Sequence, residues 1–216
     1  FEDHKKRGCG ILFLKTANAA IYNNNIYGCR VGVYLVESSN NTIRSNQLNK
    51  LNKVGIWLYY SDKNFFNCNK LNNVNSGFQI SSSNRNNIKD NIIFYSTYAG
   101  VIILFSNNNN FYSNILNNGG FIFNNYFGDA NIDYYSQNIS INNTVNGKPI
   151  YYYKHANMNN KTVPEDAGQV ICGNISWLTI SDMNIHNTTE GIQLCSSENI
   201  TIANCTSGNN IYGIEL

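Results

Sequence analysis

The acidic side chains are the residues of this chain best suited to catalysis, and they are scattered along it. Enzymes that cleave polysaccharides need clustered carboxylates, for acid–base chemistry or for calcium, usually with a basic residue nearby. The closest group here is Asp129 with Asp133, followed by Glu165 and Asp166. No two carboxylates are separated by one period of the repeat described below. The pattern therefore favours a protein without catalytic residues and leans against an enzyme.

Histidine and cysteine do not form a metal-binding pattern either. His4, His155 and His186 are far apart, and no Cys-X-X-Cys pair is present. Structural zinc sites need four such ligands at characteristic spacings. We therefore expect no metal site and no cofactor.

Three consecutive tyrosines, Tyr151, Tyr152 and Tyr153, form the most unusual aromatic segment. Exposed tyrosine rings stack on sugar faces, which would make the segment a carbohydrate-binding element. Alternate tyrosines of a strand also pack into a core through their apolar rings. We favour core packing, and the carbohydrate interpretation remains open.

The composition excludes two classes of partner. Charged residues make up 13% of the chain and the formal net charge is +2, without a run of Lys or Arg. Nucleic-acid-binding proteins need a basic surface to neutralise phosphates, so we expect no nucleic acid. No apolar run approaches the roughly 18–20 residues that cross a bilayer, so we expect no membrane span in this segment.

Glycine marks an internal repeat that must position all of these side chains. Gly10, Gly32, Gly55, Gly77 and Gly100 are separated by 22 or 23 residues, and the spacing returns later in the chain. When the segments are aligned on these glycines, apolar residues fall in the same columns. One such column consists of Phe13, Leu35, Leu58, Ile80, Ile103 and Leu194.

Apolar and polar residues alternate within each repeat, which is typical of short, half-buried strands. Three strands per repeat, joined by Asn, Ser and Gly turns, make one coil, and successive coils stack like on like. The sequence therefore predicts an all-β fold, a right-handed parallel β-helix with 22–23 residues per coil.

Asparagine, present at 43 positions, follows the same period. The two regular columns are Asn24, Asn46, Asn69, Asn91 and Asn114, and Asn41, Asn64, Asn86 and Asn109. Asn tolerates the left-handed backbone of a sharp corner. Its amide also both donates and accepts, so stacked Asn side chains can form hydrogen-bonded ladders. We expect these columns to stabilise corners rather than bind a ligand.

The repeat is interrupted between residues 117 and 168, a segment that contains both prolines. We interpret residues 1–216 as a single β-helix domain with an irregular insertion at 117–168, in which residues 154–166 protrude as a loop. Because the chain begins with Phe1 rather than Met, it is expected to be a mature product or a fragment of a longer chain.

Eight Asn-X-Ser/Thr sequons predict N-glycosylation if the protein is exported. They are Asn40, Asn138, Asn142, Asn160, Asn174, Asn187, Asn199 and Asn204. Six cysteines are compatible with disulfides in an oxidising compartment. Cys9 and Cys29 occupy nearly matching positions of successive coils and are the best candidates for a bond. Together these features favour an extracellular or cell-surface location.

The repeat Gly191-Ile-Gln-Leu-Cys-Ser-Ser-Glu-Asn-Ile-Thr-Ile-Ala-Asn-Cys205 resembles the NosD-like and pectate-lyase-like parallel β-helix proteins. The segments starting at Asn143 and Val163 resemble NosD-like surface proteins of archaea, methanogens especially. The resemblance implies the fold but leaves several functions open. We favour a non-catalytic extracellular scaffold whose β-helix ends associate with copies of itself or with neighbouring subunits. The alternatives are a carbohydrate-binding module and a polysaccharide lyase or hydrolase.

Overall fold

The computed structural model describes residues 8–123 and 132–216, which form parallel strands stacked in coils. The first stack contains fifteen strands. They are β1 (Cys9–Leu14), β2 (Ala20–Tyr22), β3 (Asn25–Tyr27), β4 (Val31–Val36), β5 (Thr42–Arg44), β6 (Gln47–Tyr59), β7 (Phe65–Asn67), β8 (Lys70–Ser81), β9 (Asn87–Lys89), β10 (Ile92–Leu104), β11 (Asn110–Tyr112), β12 (Ile115–Asn117), β13 (Phe121–Phe123), β14 (Asn138–Ile139) and β15 (Thr144–Val145).

Strand pairing in this stack follows the sequence repeat. Val33 pairs with Ile56, Ile56 with Phe78 and Phe78 with Val101, so residues one period apart lie side by side. The predicted all-β parallel β-helix is therefore confirmed. The longer strands, such as β6 and β8, each cover two sides of a coil, and their pairing shifts in register between Leu51 and Val54.

The aligned apolar columns fill the interior of the stack. Leu35, Leu58 and Ile80 are fully buried, as are the aromatic rings of Phe66 and Phe78. Those two rings meet edge to face, with centroids 5.6 Å apart. At roughly 25 cal/mol for each Å² of apolar surface removed from water, this continuous column is the main stabilising contribution to the stack.

The two asparagine columns form the predicted ladders. The Asn69 side chain accepts hydrogen bonds from the backbone and side-chain amides of Asn46, at 3.1 and 3.0 Å. It donates in turn to Asn91 Oδ1 and to the Ile43 carbonyl, at 2.9 Å each. Asn69 and Asn91 are completely buried. Each amide therefore satisfies backbone groups that a corner would otherwise leave unpaired inside the protein.

The left-handed backbone lies one residue before each ladder position, which corrects part of the sequence interpretation. Asn40 and Lys63 have φ near +60° and +55°, whereas Asn41 and Asn64, which follow them, are absent from the positive-φ residues. The corner positions accept several residue types, including Lys, Arg and Cys. At the ladder positions, Asn is thus selected for its hydrogen bonds and not for its backbone conformation.

Both ladders continue into the segment where the sequence repeat breaks. Gln137 Oε1 accepts hydrogen bonds from the backbone and side chain of Asn109, and Asn143 Oδ1 does the same for Asn114. These steps span 28 and 29 residues instead of 22 or 23. Residues 132–145 therefore complete one further coil, which its greater length and one Gln-for-Asn replacement conceal in the sequence.

The chain direction reverses after this coil. β15 pairs antiparallel with β16 (Lys148–Thr162), and the turn between them contains Gly147 at φ +78°. A second stack of parallel strands follows. It contains β16, β17 (Gln169–Ser181), β18 (Asn184–His186), β19 (Glu190–Cys195), β20 (Glu198–Ala203), β21 (Thr206–Gly208) and β22 (Tyr212–Glu215). The protruding loop expected at 154–166 is wrong, because residues up to Thr162 belong to β16 and pair with β17.

The sheet formed by β16, β17 and β19 has a hydrophobic core on each face. Ile171 and Cys195 pack on the core of the first stack, whereas Val170, Cys172 and Ile192 pack in a second core. Buried polar side chains also join the stacks. The Gln169 side chain accepts from the backbone amide of Phe121 at 2.9 Å and donates to its carbonyl at 2.7 Å. The sheet therefore covers the end of the first stack.

Candidate functional site: a polar groove on the second stack

A groove of about 660 Å³ lies on the second stack. Its walls are residues 155–157 of β16, residues 174–176 of β17 and residues 196–198, which lead into β20. All three segments pair in parallel, so their side chains are held in rows about 4.8 Å apart. Most of the lining side chains are polar.

One row runs straight across the groove. Ser176 pairs with Asn157 on one side and with Glu198 on the other. An amide, a hydroxyl and a carboxylate therefore follow one another across three strands. Such a row offers both donors and acceptors to a polar ligand.

His155 lies two residues before Asn157 on β16, beside Asn174. Its Nδ1 is 3.2 Å from Asn174 Nδ2, and its Nε2 is 3.4 Å from Ser136 Oγ. If the Asn174 amide donates to Nδ1, the imidazole proton is on Nε2 and can be donated to Ser136. His155 thus links the second stack to the last coil of the first.

Trp177 directly follows Ser176 and is 46% exposed. Its backbone is left-handed, with φ +58°. An exposed indole ring is a stacking surface for sugar rings, because its apolar face is offered to solvent while its N–H remains free to bond water or ligand. Trp177 is not itself a lining residue; it adjoins the groove as the chain neighbour of Ser176, which does line it.

The groove contains one carboxylate, Glu198. Glycoside hydrolysis needs two carboxyl groups, about 5–9.5 Å apart, on opposite sides of the bond that breaks. Among residues 8–123 and 132–216, moreover, no three His, Cys, Asp or Glu side chains are placed to hold a metal ion. The lining residues of the groove therefore do not provide the carboxyl pair of glycoside hydrolysis.

Residues 2–116, just over half of the 216-residue chain, match the family described as the right-handed β-helix region. The chain belongs to this family. The match confirms the predicted handedness of the β-helix.

Two solved structures match most of the chain at TM-scores below 0.5. The alginate lyase from Paenibacillus sp. str. FPU-7 has a TM-score of 0.49 and 10% identity, and the match covers 94% of this chain and 79% of the lyase. The catalytic domain of a GH87 α-1,3-glucanase in complex with nigerose has a TM-score of 0.39 and 14% identity, and covers 90% of this chain. The chain spans 49% of that glucanase domain. No curated protein sequence matches the chain significantly. These similarities do not assign an activity to this β-helix.

The three tyrosines lie in β16 and do not line the groove. Tyr152 packs against the first core, where its ring stacks with Phe123, and its hydroxyl donates to the Tyr135 carbonyl. Tyr151 and Tyr153 point to the other face, stack on each other at 6.4 Å and pack against the second core. All three remain partly exposed. Their role in carbohydrate binding stays a prediction.

The expected bond between Cys9 and Cys29 is not formed, and both side chains are free thiols. The two residues contact different sides of the coil wall. Cys9 packs with the outer cluster that includes Val31 and Tyr34, whereas Cys29 packs against the inner core. Matching positions in successive coils therefore did not bring the two sulfur atoms together.

All eight sequon asparagines are exposed. The ladder asparagines, such as Asn41 and Asn69, are by contrast buried. The structure thus separates the many Asn residues into an internal hydrogen-bonding set and a surface set. Glycosylation of these sequons stays a prediction.

Asp129, part of the acidic group noted in the sequence, lies outside the described residues.

Sequence reasoning missed the groove because its residues are distant in the chain. His155 was interpreted as an isolated residue, and Trp177 was not singled out. A pairing of β16 with β17, 19 residues later, would have placed His155 beside Asn174. The alternation of polar and apolar residues that marks such a strand is obscured in β16 by its exposed Asn and Lys residues.

Among the described residues, no helix has the length and apolar character needed to cross a membrane.

Proposed function

We propose that this chain is a non-catalytic, N-glycosylated β-helix scaffold of a cell surface or of an extracellular filament or layer. In this proposal it is related to the NosD-like surface proteins that its sequence resembles. Its rigid coils hold exposed turns at regular spacing, and the turns carry the glycans. The stack itself is a rigid support and carries no catalytic residues.

The exposure of every sequon asparagine is the observation that carries the proposal. Six of the eight asparagines also have a left-handed backbone, namely Asn40, Asn160, Asn174, Asn187, Asn199 and Asn204. That conformation marks corners, where a glycan projects away from the coil.

The outer strands of the stacks support association with further coils. Among the described strands, β1 pairs only with β4 and β22 only with β19. Leu12 and Leu14 on β1 are 50% and 58% exposed, and Ile214 on β22 is 45% exposed. A strand edge with apolar side chains is a template for another strand. Coils of a longer chain or of a neighbouring subunit would satisfy it.

Mass spectrometry of glycopeptides from the native protein tests the glycosylation. We expect glycans on several of the eight sequons, and an Asn→Gln variant at an occupied position should lose the corresponding mass. Asn41, which lies in a buried ladder and is not a sequon asparagine, serves as the unmodified reference. Native protein with all eight positions unmodified would contradict this part of the proposal.

Carbohydrate binding in the groove is a second candidate function. The row of Asn157, Ser176 and Glu198 and the exposed ring of Trp177 favour it. A neutral or weakly basic oligosaccharide fits best, because Glu198 is the one acidic group in the groove. The oligosaccharide bound in the groove would then be a glycan of the same surface layer as the scaffold.

A glycan array with the full chain tests this candidate. We expect Trp177→Ala to reduce binding about tenfold, since one stacked ring contributes about 1–2 kcal/mol. Tyr27→Ala, which removes a 72% exposed ring on the first stack, is the matched control. Equal binding by both variants and the parent would exclude Trp177 from the binding site, and the absence of any binding by the parent would exclude this candidate function. Turnover of a polysaccharide that is lost in Glu198→Gln would instead establish the lyase or hydrolase alternative.

A further inference from the structure

Three oxygen-bearing side chains lie on β19 and β22, the end of the sheet that covers the first stack: Glu190, Gln193 and Glu215. Glu190 is completely buried and Gln193 is 2% exposed. Gln193 pairs with Glu215 of β22, so their side chains share a face of the sheet. Gln193 Nε2 donates to the Phe123 carbonyl at 3.4 Å, which fixes the side chain toward the first stack. The cluster is separate from the groove.

Among residues 8–123 and 132–216, three oxygen atoms of this cluster lack donors. Within that part of the chain, neither Glu190 Oε1, Glu190 Oε2 nor Gln193 Oε1 has a hydrogen-bond partner. The carboxyl groups of Glu190 and Glu215 are within hydrogen-bonding reach of each other, so a protonated Glu190 can donate to Glu215. Burial and, after it, Glu215 raise the pKa of Glu190 to about 10. A buried carboxylate without a partner is strongly unfavourable.

Two kinds of positive charge can compensate the negative charge and the unpaired oxygens of this cluster, namely a proton or a metal cation. A proton on Glu190 supplies one donor, which serves one acceptor and leaves at least one of the three oxygens unpaired. The ion pairs found among the described residues, Lys15 with Glu37 and Lys89 with Asp90, lie elsewhere. A divalent cation with oxygen ligands can contact all three side chains together.

We propose that Glu190, Gln193 and Glu215 bind one hard divalent cation of the calcium class. The carboxylates supply charge, the Gln193 amide supplies a neutral oxygen, and water completes the six to eight ligands that calcium takes. Because Glu215 is exposed, the site is open to solvent on one side. With two ionised carboxylates, its affinity falls in the range of extracellular modules, about 0.1–1 mM. Because the cation must displace the Glu190 proton, the affinity decreases as the pH falls below the pKa of Glu190.

The cation stabilises the packing of the second stack on the first. Glu190 and Gln193 belong to the sheet that covers the first core, and the Tyr135 hydroxyl group lies close enough to both glutamates for them to raise its pKa, after burial and Cys195. Binding to the folded protein alone increases stability with ligand concentration. At a calcium concentration 100 times the dissociation constant, the melting temperature rises by about 5–10 °C.

Thermal unfolding of the full chain in EDTA and in 10 mM Ca²⁺ tests the proposal, with Mg²⁺ as a second probe. Terbium, which replaces calcium, should give luminescence sensitised by the nearby Tyr135 ring. We expect both signals in the parent protein. Glu190→Gln should abolish them, and Glu215→Gln, on the exposed strand, should weaken calcium binding at least tenfold without unfolding the protein. Glu198→Gln, in the groove, is the matched control and should retain both signals.

Three results would overturn the proposal. One is the absence of any melting-temperature rise with Ca²⁺, and another is an equal rise in parent and Glu190→Gln. The third is stabilisation by a proton. Since the pKa of Glu190 is raised above its unfolded value, the parent without metal should lose stability as the pH rises from about 5 to 9. If added Ca²⁺ leaves that loss unchanged while Glu190→Gln removes it, the cluster holds a proton and not a cation.

Discussion

Substitution of Asn69 by Ala probes the asparagine ladder in the middle of the first stack. The change removes four hydrogen bonds of the Asn69 side chain, two to Asn46, one to Asn91 and one to the Ile43 carbonyl. Two backbone groups, the Asn46 amide and the Ile43 carbonyl, then remain buried without these partners. At about 1–3 kcal/mol for each stranded group, we expect a loss of about 4 kcal/mol in the free energy of unfolding.

Urea denaturation followed by circular dichroism measures this loss, and the melting temperature should fall by roughly 8–16 °C. Asn24→Ala is the control in the same column. Asn24 is exposed, and the Asn46 oxygen to which it donates keeps the hydrogen bond from the Asn24 backbone at 3.0 Å. The control should cost less than about 1 kcal/mol. Equal losses in the two variants would refute the idea that buried ladders stabilise the corners.

Three further substitutions or reactions test the packing. Phe78→Ala should cost about 3–5 kcal/mol, because the ring is fully buried against Phe66, and chemical denaturation would show it. Gly55→Ala should lower the melting temperature, since the new Cβ would lie 2.7 Å from the Gly77 carbonyl oxygen. Gly8→Ala is the control and should leave the melting temperature unchanged, because its Cβ would meet no atom within 4 Å. Burial raises the pKa of the Cys172 thiol to about 12. DTNB at pH 8 should therefore label the exposed Cys68 in the native protein and reach Cys172 only after unfolding. Equal labelling rates of the two thiols would contradict the packing of the second core.

The repeating part of the fold could be predicted from the sequence because each coil is specified by local columns. The register of Val33 with Ile56 follows directly from their equal distance from Gly32 and Gly55. The ladders could be predicted for the same reason. In every coil of this part, a stacked Asn amide satisfies the backbone groups of the same buried corner.

The arrangement after residue 117 could not be predicted in the same way. The coil that ends in Asn143 has a different length, so its ladder residue falls outside the column. The reversal at Gly147 depends on how the second sheet packs across the end of the first stack, which no local pattern records. The Glu190 cluster arises from that packing, and the groove arises from the pairing of β16, β17 and β20 within the second stack. Their residues are therefore the ones that sequence reasoning left unconnected.

Cryo-electron microscopy of the native material tests the scaffold proposal most directly. We predict filaments or a layer in which further coils continue from the outer strands β1 or β22, with extra density on the exposed turns at the sequon asparagines. Isolated monomers whose outer strands are capped, without density on those turns, would contradict the account and shift attention to the groove as a binding or catalytic site.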